Sequence, residues 1–165
     1  MIHEKFAKYE SRIAVGLVGE GSDCFGFDDE QSKDHDWGPG FCMWVDDVTY
    51  EAIGVELQAA YDRLPTEYMG YRRRTTREAE GRVGVIRVRE FYAKLLKNAN
   101  GIPRSEQEWL AIDENDLAAA TNGAIFRDDD GIFFSLRNQL LAYYPESVFR
   151  RKLAYELVRM AQTGQ

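Results

Sequence analysis

Ile13-Ala14-Val15-Gly16-Leu17-Val18-Gly19-Glu20-Gly21-Ser22, followed after eleven intervening residues by Asp34-His35-Asp36, is the stretch on which the reading of this chain turns. The apolar, partly β-branched run from Ile13 to Val18 has the length of a buried strand, and Gly19 to Ser22 breaks it. A backbone leaving a strand through such a turn exposes N–H groups where an anionic ligand can sit. Asp34 and Asp36 are one residue apart, so in an extended segment both carboxylates face the same way and can grip one hard divalent cation. A phosphate-sized turn paired with two such carboxylates points to metal-dependent chemistry on a nucleotide.

Outward from this stretch, residues 3 to 11 read as a short polar helix. Gly38-Pro39-Gly40 permits a bend before Phe41 to Val45 resumes a strand. Asp46 or Asp47 can cap the next helix, whose apolar positions Val48, Ile53, Leu57, Ala60 and Leu64 recur at helical intervals up to Pro65. Residues 66 to 81, with Arg72-Arg73-Arg74 at their centre, form the most basic segment and are simplest as a loop. Val83 to Val88 reads as a third strand and Arg89 to Lys97 as a helix. Ser105-Glu106-Gln107-Glu108 fits a capping box. Helices are expected over 113 to 121, 132 to 142 and Pro145 to Ala161, the last with an apolar stripe of Phe149, Leu153, Leu157 and Met160. A fourth strand is expected in Ala124 to Arg127 or in the basic loop. The order predicts an α+β domain, a small mixed β-sheet packed with helices and followed by a helical carboxyl-terminal half. Residues 1–100 form the core of this reading and residues 101–165 a helical extension packed on it as one compact unit.

The chain has 165 residues, 44% of them hydrophobic, enough for one domain with a core of its own. Its formal net charge of −7 argues against a broad duplex nucleic-acid surface, which needs a basic face. Cys24 and Cys42 form neither a CxxC pair nor a disulfide framework and read as reduced, buried thiols. No stretch has the length of a signal sequence's apolar segment or of a transmembrane span, so a cytoplasmic protein with no membrane partner is expected.

The Gly21-Ser22 to Asp34-x-Asp36 arrangement resembles the signature of the nucleotidyltransferase superfamily, with its polymerase-β-like fold. Gly19 to Glu30 followed by Asp34-His35-Asp36-Trp37-Gly38, then Asn122-Gly123-Ala124-Ile125-Phe126-Arg127-Asp128-Asp129 and Leu141 to Glu146, look like an uncharacterised bacterial branch of it. The resemblance implies that Gly21 and Ser22 hold the phosphates of a nucleoside triphosphate such as ATP. It implies Asp34 and Asp36 as catalytic ligands of Mg2+, and transfer of a nucleoside monophosphate to an unknown hydroxyl acceptor. It also implies a third acid on the strand Val83 to Val88, where the matching position is Gly84 and no carboxylate lies between Arg82 and Arg89. Glu80, Glu90 and Asp128 are the candidates to replace it; without a replacement, a catalytically silent nucleotide-binding or partner-binding domain is the alternative. Related proteins would carry an extra amino-terminal helix and further helices beyond Gln165.

Plainer readings stand beside these. A Gly-rich turn after a strand needs no ligand, and Asp34 and Asp36 can be solvent-facing acids. His35 points away from the carboxylate face and is left out of the metal site. Asp28-Asp29-Glu30 reads more simply as a solvated loop or cap than as a second metal cluster. Arg72 to Arg74 read as an exposed loop before they read as a phosphate screen, and Asp128 to Gly131 as a turn. Trp37, Trp44 and Trp109 are expected in the core or in a pocket wall.

Overall fold

Strand β1 (Ala14–Leu17) is one of the two inner strands of the sheet. In the computed structural model, which describes residues 1–26, 39–73, 82–99 and 101–164, it pairs on both sides. On one side lies β2 (Cys42–Val45), antiparallel, with Ala14 opposite Trp44 and Gly16 opposite Cys42. On the other lies β6 (Ala124–Arg127), also antiparallel, with Leu17 opposite Ala124 and a register shift between Val15 and Gly16. Strand β5 (Gly84–Arg87) runs parallel to β2 from Cys42–Gly84 to Val45–Arg87. The order is β5-β2-β1-β6, a mixed sheet, so the chain is α+β with a helical carboxyl-terminal part. One edge strand comes from the region after residue 100, as the composition of Ala124 to Arg127 allows.

A parallel pair needs a crossover, and helix α3 (Asp47–Asp62) lies in the connection from β2 to β5. Side chains alternate along β2, so its two faces feed two cores. Met43 and Val45 pack with Ile13, Ile53, Leu57, Ala60 and Tyr61 beneath α3. Cys42 and Trp44 pack on the other face against α4 (Val88–Leu95), α5 (Glu106–Ala111), α6 (Glu114–Thr121) and α7 (Ile132–Ala142). The Trp44 ring lies 4.2 Å from Phe133 and 5.3 Å from Phe91, centroid to centroid, joining α7 and α4 to the sheet. Trp109 is buried as well, whereas Trp37 lies outside the described residues.

The cap of α3 is Asp46, whose Oδ1 accepts from Thr49 N at 2.6 Å while Oδ2 accepts from Arg12 at 2.8 Å. Burial raises its pKa, but the Thr49 amide and the Arg12 guanidinium outweigh burial and hold it below the ordinary 3.8. The Ser105 capping box forms as expected at the start of α5.

Three local expectations change. The amino-terminal helix splits into α1 (Ile2–Lys5) and a 3-10 helix, Ala7–Arg12. The basic segment, expected as a loop, begins with a hairpin of β3 (Glu67–Tyr68) and β4 (Tyr71–Arg72), whose two-residue turn puts Met69 and Gly70 both at positive φ. Within it Arg72 pairs with Glu67, while Arg73 donates to the Tyr61 and Asp62 carbonyls at 3.1 Å, closing the end of α3. Helix α8 (Glu146–Thr163) forms, but its stripe of Phe149, Leu153, Leu157 and Met160 stays 47% to 58% exposed. Its anchors are buried Val148 and Lys152, whose Nζ donates at 2.5 Å to Ile112 O and to Glu114. No described helix is long and apolar enough to cross a membrane.

Two outcomes follow for denaturant titrations. Asp46→Ala lowers stability at pH 7 by about 1 kcal/mol. The depressed folded pKa means that this contribution exists above the unfolded pKa and fades as pH falls through the folded one, so the difference from wild type closes in acid below about pH 4. Leu153→Ser and Leu157→Ser each shift stability by about 0.5 kcal/mol or less, because the stripe is already in water.

Candidate functional site

Leaving β1, the chain passes buried Val18 and turns through Gly19, Glu20 and Gly21 into the single-turn helix α2 (Ser22–Phe25). Gly21 and Ser22 are half-buried at the carboxyl end of β1. Cys24 N donates to Gly21 O at 3.0 Å and to Asp23 Oδ1 at 2.8 Å, which closes the turn on itself. A Cβ at Gly21 would stand 2.2 Å from that Asp23 oxygen, so glycine keeps the carboxylate in place.

The turn is braced from the other half of the chain. Asn122, just past α6, donates from Nδ2 to Gly19 O at 2.8 Å and accepts from Gly19 N on Oδ1 at 3.1 Å. Gly123 N donates to Cys24 O at 2.9 Å. Glycine is required at 123 on two counts: its φ is +67°, and a Cβ would sit 2.0 Å from Leu17 O. The end of α6 is held in turn by Arg137, which donates to Thr121 O at 2.6 Å.

Strand directions decide what else shares this end of the sheet. β1 and β2 are antiparallel with Gly16 opposite Cys42, so the segment entering β2 through Gly40 and Phe41 lies beside the exit of β1. Gly84 N donates to Phe41 O at 3.0 Å, bringing the start of β5 to the same end. Gly21, Ser22, Gly84 and the entry to β2 are thus brought together. Asp34 and Asp36 precede that entry and lie outside the described residues, as do His35, Asp28-Asp29-Glu30 and Glu80.

The other two substitutes for a third acid stand elsewhere. Asp128 follows β6, whose Arg127 is opposite Val15, and Asp130 N donates to Ser11 O, so this turn lies beside the start of β1. Its Oδ2 accepts from Phe133 N at 3.1 Å and Phe134 N at 2.7 Å, capping α7. Glu90 lies just past the carboxyl end of β5 and pairs with Arg87 at 3.4 Å. With Asp47, Glu51, Arg87 and Arg89 it lines an open depression of about 480 Å³ at the end opposite the turn. There Arg87 is spent on Asp47, Glu51 and Glu90, and Arg89 on Asp47. Neither Glu90 nor Asp128 faces Gly21 and Ser22.

An acid at Gly84 would be strained. Its φ is +105°, and a Cβ would approach Gln58 Oε1 to 2.8 Å. That oxygen accepts from Val85 N at 2.8 Å, so the glutamine is committed to the strand.

Two groups near the turn escape sequence reasoning as site residues. Asn122 stands in a stretch that carries the family resemblance but has no role assigned there, and its importance comes from an approach across the fold. Lys97, past the end of α4, is kept charged first by Asp116, with which it forms an ion pair at 2.5 Å, then by the charges of Asp113 and Glu20. Only the last of these ties it to the turn. Both cysteines are buried free thiols; burial, reinforced at Cys24 by Asp23, pushes each pKa up to about 12 and makes either a poor nucleophile.

Residues 109–165, roughly the last third of the chain, match the model of a family described as a domain of unknown function, DUF4037. The match includes α6, β6, α7, α8 and the Asn122-Gly123 brace. No curated protein and no solved structure matches the chain.

Writing a carboxylate into the vacant position tests the reading of Gly84. Gly84→Asp is expected to destabilise the fold by about 1–3 kcal/mol in thermal or denaturant unfolding, through backbone strain and displacement of Gln58, without creating an acid that faces the turn.

Proposed function

We propose that this protein binds a nucleoside triphosphate in the presence of magnesium and belongs in activity with the nucleotidyltransferases. In this reading Gly21 and Ser22 contact the phosphates, and Asp34 and Asp36 are the metal ligands. The observation that carries it is topological: the turn after β1 and the segment entering β2 meet at one end of the sheet, where a phosphate chain could touch both. Among the described residues no group of three or more His, Cys, Asp or Glu is arranged to hold a metal ion. Bound at Asp34 and Asp36, magnesium would offset the charge of the phosphate oxygens.

The reaction proposed is attack of an acceptor hydroxyl oxygen on the α-phosphorus, with the α–β bridging P–O bond breaking, pyrophosphate leaving and the hydroxyl proton passing to a base. The Asp34-x-Asp36 spacing in the sequence supports metal binding, and free buried thiols agree with work in the cytoplasm. A second reading, a catalytically silent nucleotide-binding domain, draws on a specific observation: position 84 is a glycine where any side chain would be strained, and Glu90 and Asp128 stand at the far end of the sheet. Glu80 is then the remaining candidate among those named from the sequence.

Calorimetric titration with ATP and the other triphosphates, with and without magnesium, tests the shared part of both readings. Magnesium-dependent binding is expected, weakened about tenfold or more by Asp34→Ala or Asp36→Ala. No metal-linked binding for any triphosphate would sink both. Pyrophosphate release in the presence of cell extract then decides between them: release abolished by either aspartate substitution marks the transferase, and binding without release marks the silent domain.

A further inference from the structure

We infer that Asn122 is the positioning residue of the Gly19–Ser22 turn, so that the segment matching a domain of unknown function supplies the brace of the nucleotide site. The inference rests on the nucleotide reading above and deepens it by naming what holds the phosphate-contacting turn in shape.

A glycine-containing turn has many backbone conformations open to it, and one that is to meet a phosphate chain must be held in a single one. The side-chain amide of Asn122 does this at Gly19. It engages both the N–H and the C=O of one residue, at 3.1 and 2.8 Å, which fixes the orientation of the peptide planes on either side of Gly19. The next residue, Gly123, takes Cys24 O at 2.9 Å. Two consecutive residues therefore grip the chain before and after Glu20, Gly21, Ser22 and Asp23, from a sequence distance of about a hundred residues. An amide is needed because both a donor and an acceptor are used: a carboxylate would set an oxygen against Gly19 O, and an alanine would reach neither group.

The grip cannot slide. Gly123 is fixed by the 2.0 Å that a Cβ would leave to Leu17 O, and Gly16 by the 2.5 Å that a Cβ would leave to Ala124 O. Upstream, Thr121 Oγ1 donates to Leu117 O at 2.8 Å and Arg137 holds Thr121 O, so the brace is anchored to both α6 and α7. Glu20, Gly21, Ser22 and Asp23 lie between the clamped points. Asn122 touches no substrate in this arrangement and acts through Gly19.

The experiment compares the full chain with Asn122→Ala and Asn122→Asp by two readouts. Amide hydrogen exchange without ligand reports the turn, and calorimetric titration with Mg-ATP reports the site. Expected for both variants is exchange over Gly19–Phe25 about tenfold faster, with Cys42–Val45 in β2 unchanged, and Mg-ATP affinity about tenfold weaker. Wild-type exchange over the turn overturns the inference, and so does faster exchange with unaltered affinity, which would leave Asn122 a purely structural residue. If the wild type binds neither Mg-ATP nor any other magnesium triphosphate, the nucleotide reading fails and this inference falls with it. The ligand-free exchange then shows separately whether the brace exists. Should Asn122→Ala fail to fold, Asn122→Asp, which keeps the side-chain size and the acceptor towards Gly19 N, supplies both readouts, and the same results support or overturn the inference.

Discussion

The close approach of the segment from Asn122 to Ile125 onto β1 and its following turn is the constraint on which the rest of this structure depends. Backbones meet there with no space for side chains: at Gly16 a Cβ would be 2.5 Å from Ala124 O and 3.0 Å from the Ile125 Cα, and at Gly123 it would be 2.0 Å from Leu17 O. Glycine weakens a strand interior by its entropy and its missing contacts, so two of them at one crossing mark a place where proximity outweighs local preference. The register shift between Val15 and Gly16 falls at the same point. Through this contact β6 joins the sheet and the turn after β1 gains its brace.

A second coupling runs through the aromatic residues. Trp44 from β2, Phe91 and Tyr92 from α4 and Phe133 from α7 pack with centroid separations from 4.2 to 5.7 Å. Each such pair adds about 0.5–1.5 kcal/mol beyond its buried area, so the helical half is held to the sheet by a rigid cluster as well as by β6. Asp128 contributes to this junction by capping α7, whose second residue is Phe133. An acid that looks free to do chemistry in the sequence thereby commits one of its oxygens, Oδ2, to placing a core ring.

The two ends of the sheet have different characters. At the end where β1 begins, charges are paired among themselves: Arg127 bridges Glu10 and Asp129, Arg12 meets Asp46, and Arg87 gathers three carboxylates. Glu10 is held below the ordinary carboxylate range by Arg127 first and His3 second. At the end where β1 leaves, the described residues include the Gly19–Ser22 turn and Lys97 with its carboxylate partners. The open depression lies at the first end, where every cation that lines it already has an anion. A ligand there would have to break those pairs, which is why depth alone does not make it the site.

The sequence by itself determined the strands around Ile13 to Val18, Phe41 to Val45 and Val83 to Val88, a helix cap at Asp46 or Asp47, which the structure resolves to Asp46, and the Ser105 capping box. Their causes act within a few residues: apolar periodicity, and side chains that satisfy the first free N–H groups of a helix. It also brought out Gly21 and Ser22 as a turn and Ala124 to Arg127 as a possible strand. Only the tertiary structure decided that Asn122 embraces Gly19, that Glu90 and Asp128 stand at the far end from the turn, and that the stripe on α8 faces water. Strand order and direction set these relations. Periodicity tells which face of an element is apolar, but not which end of a sheet a residue will reach or which neighbour will cover it.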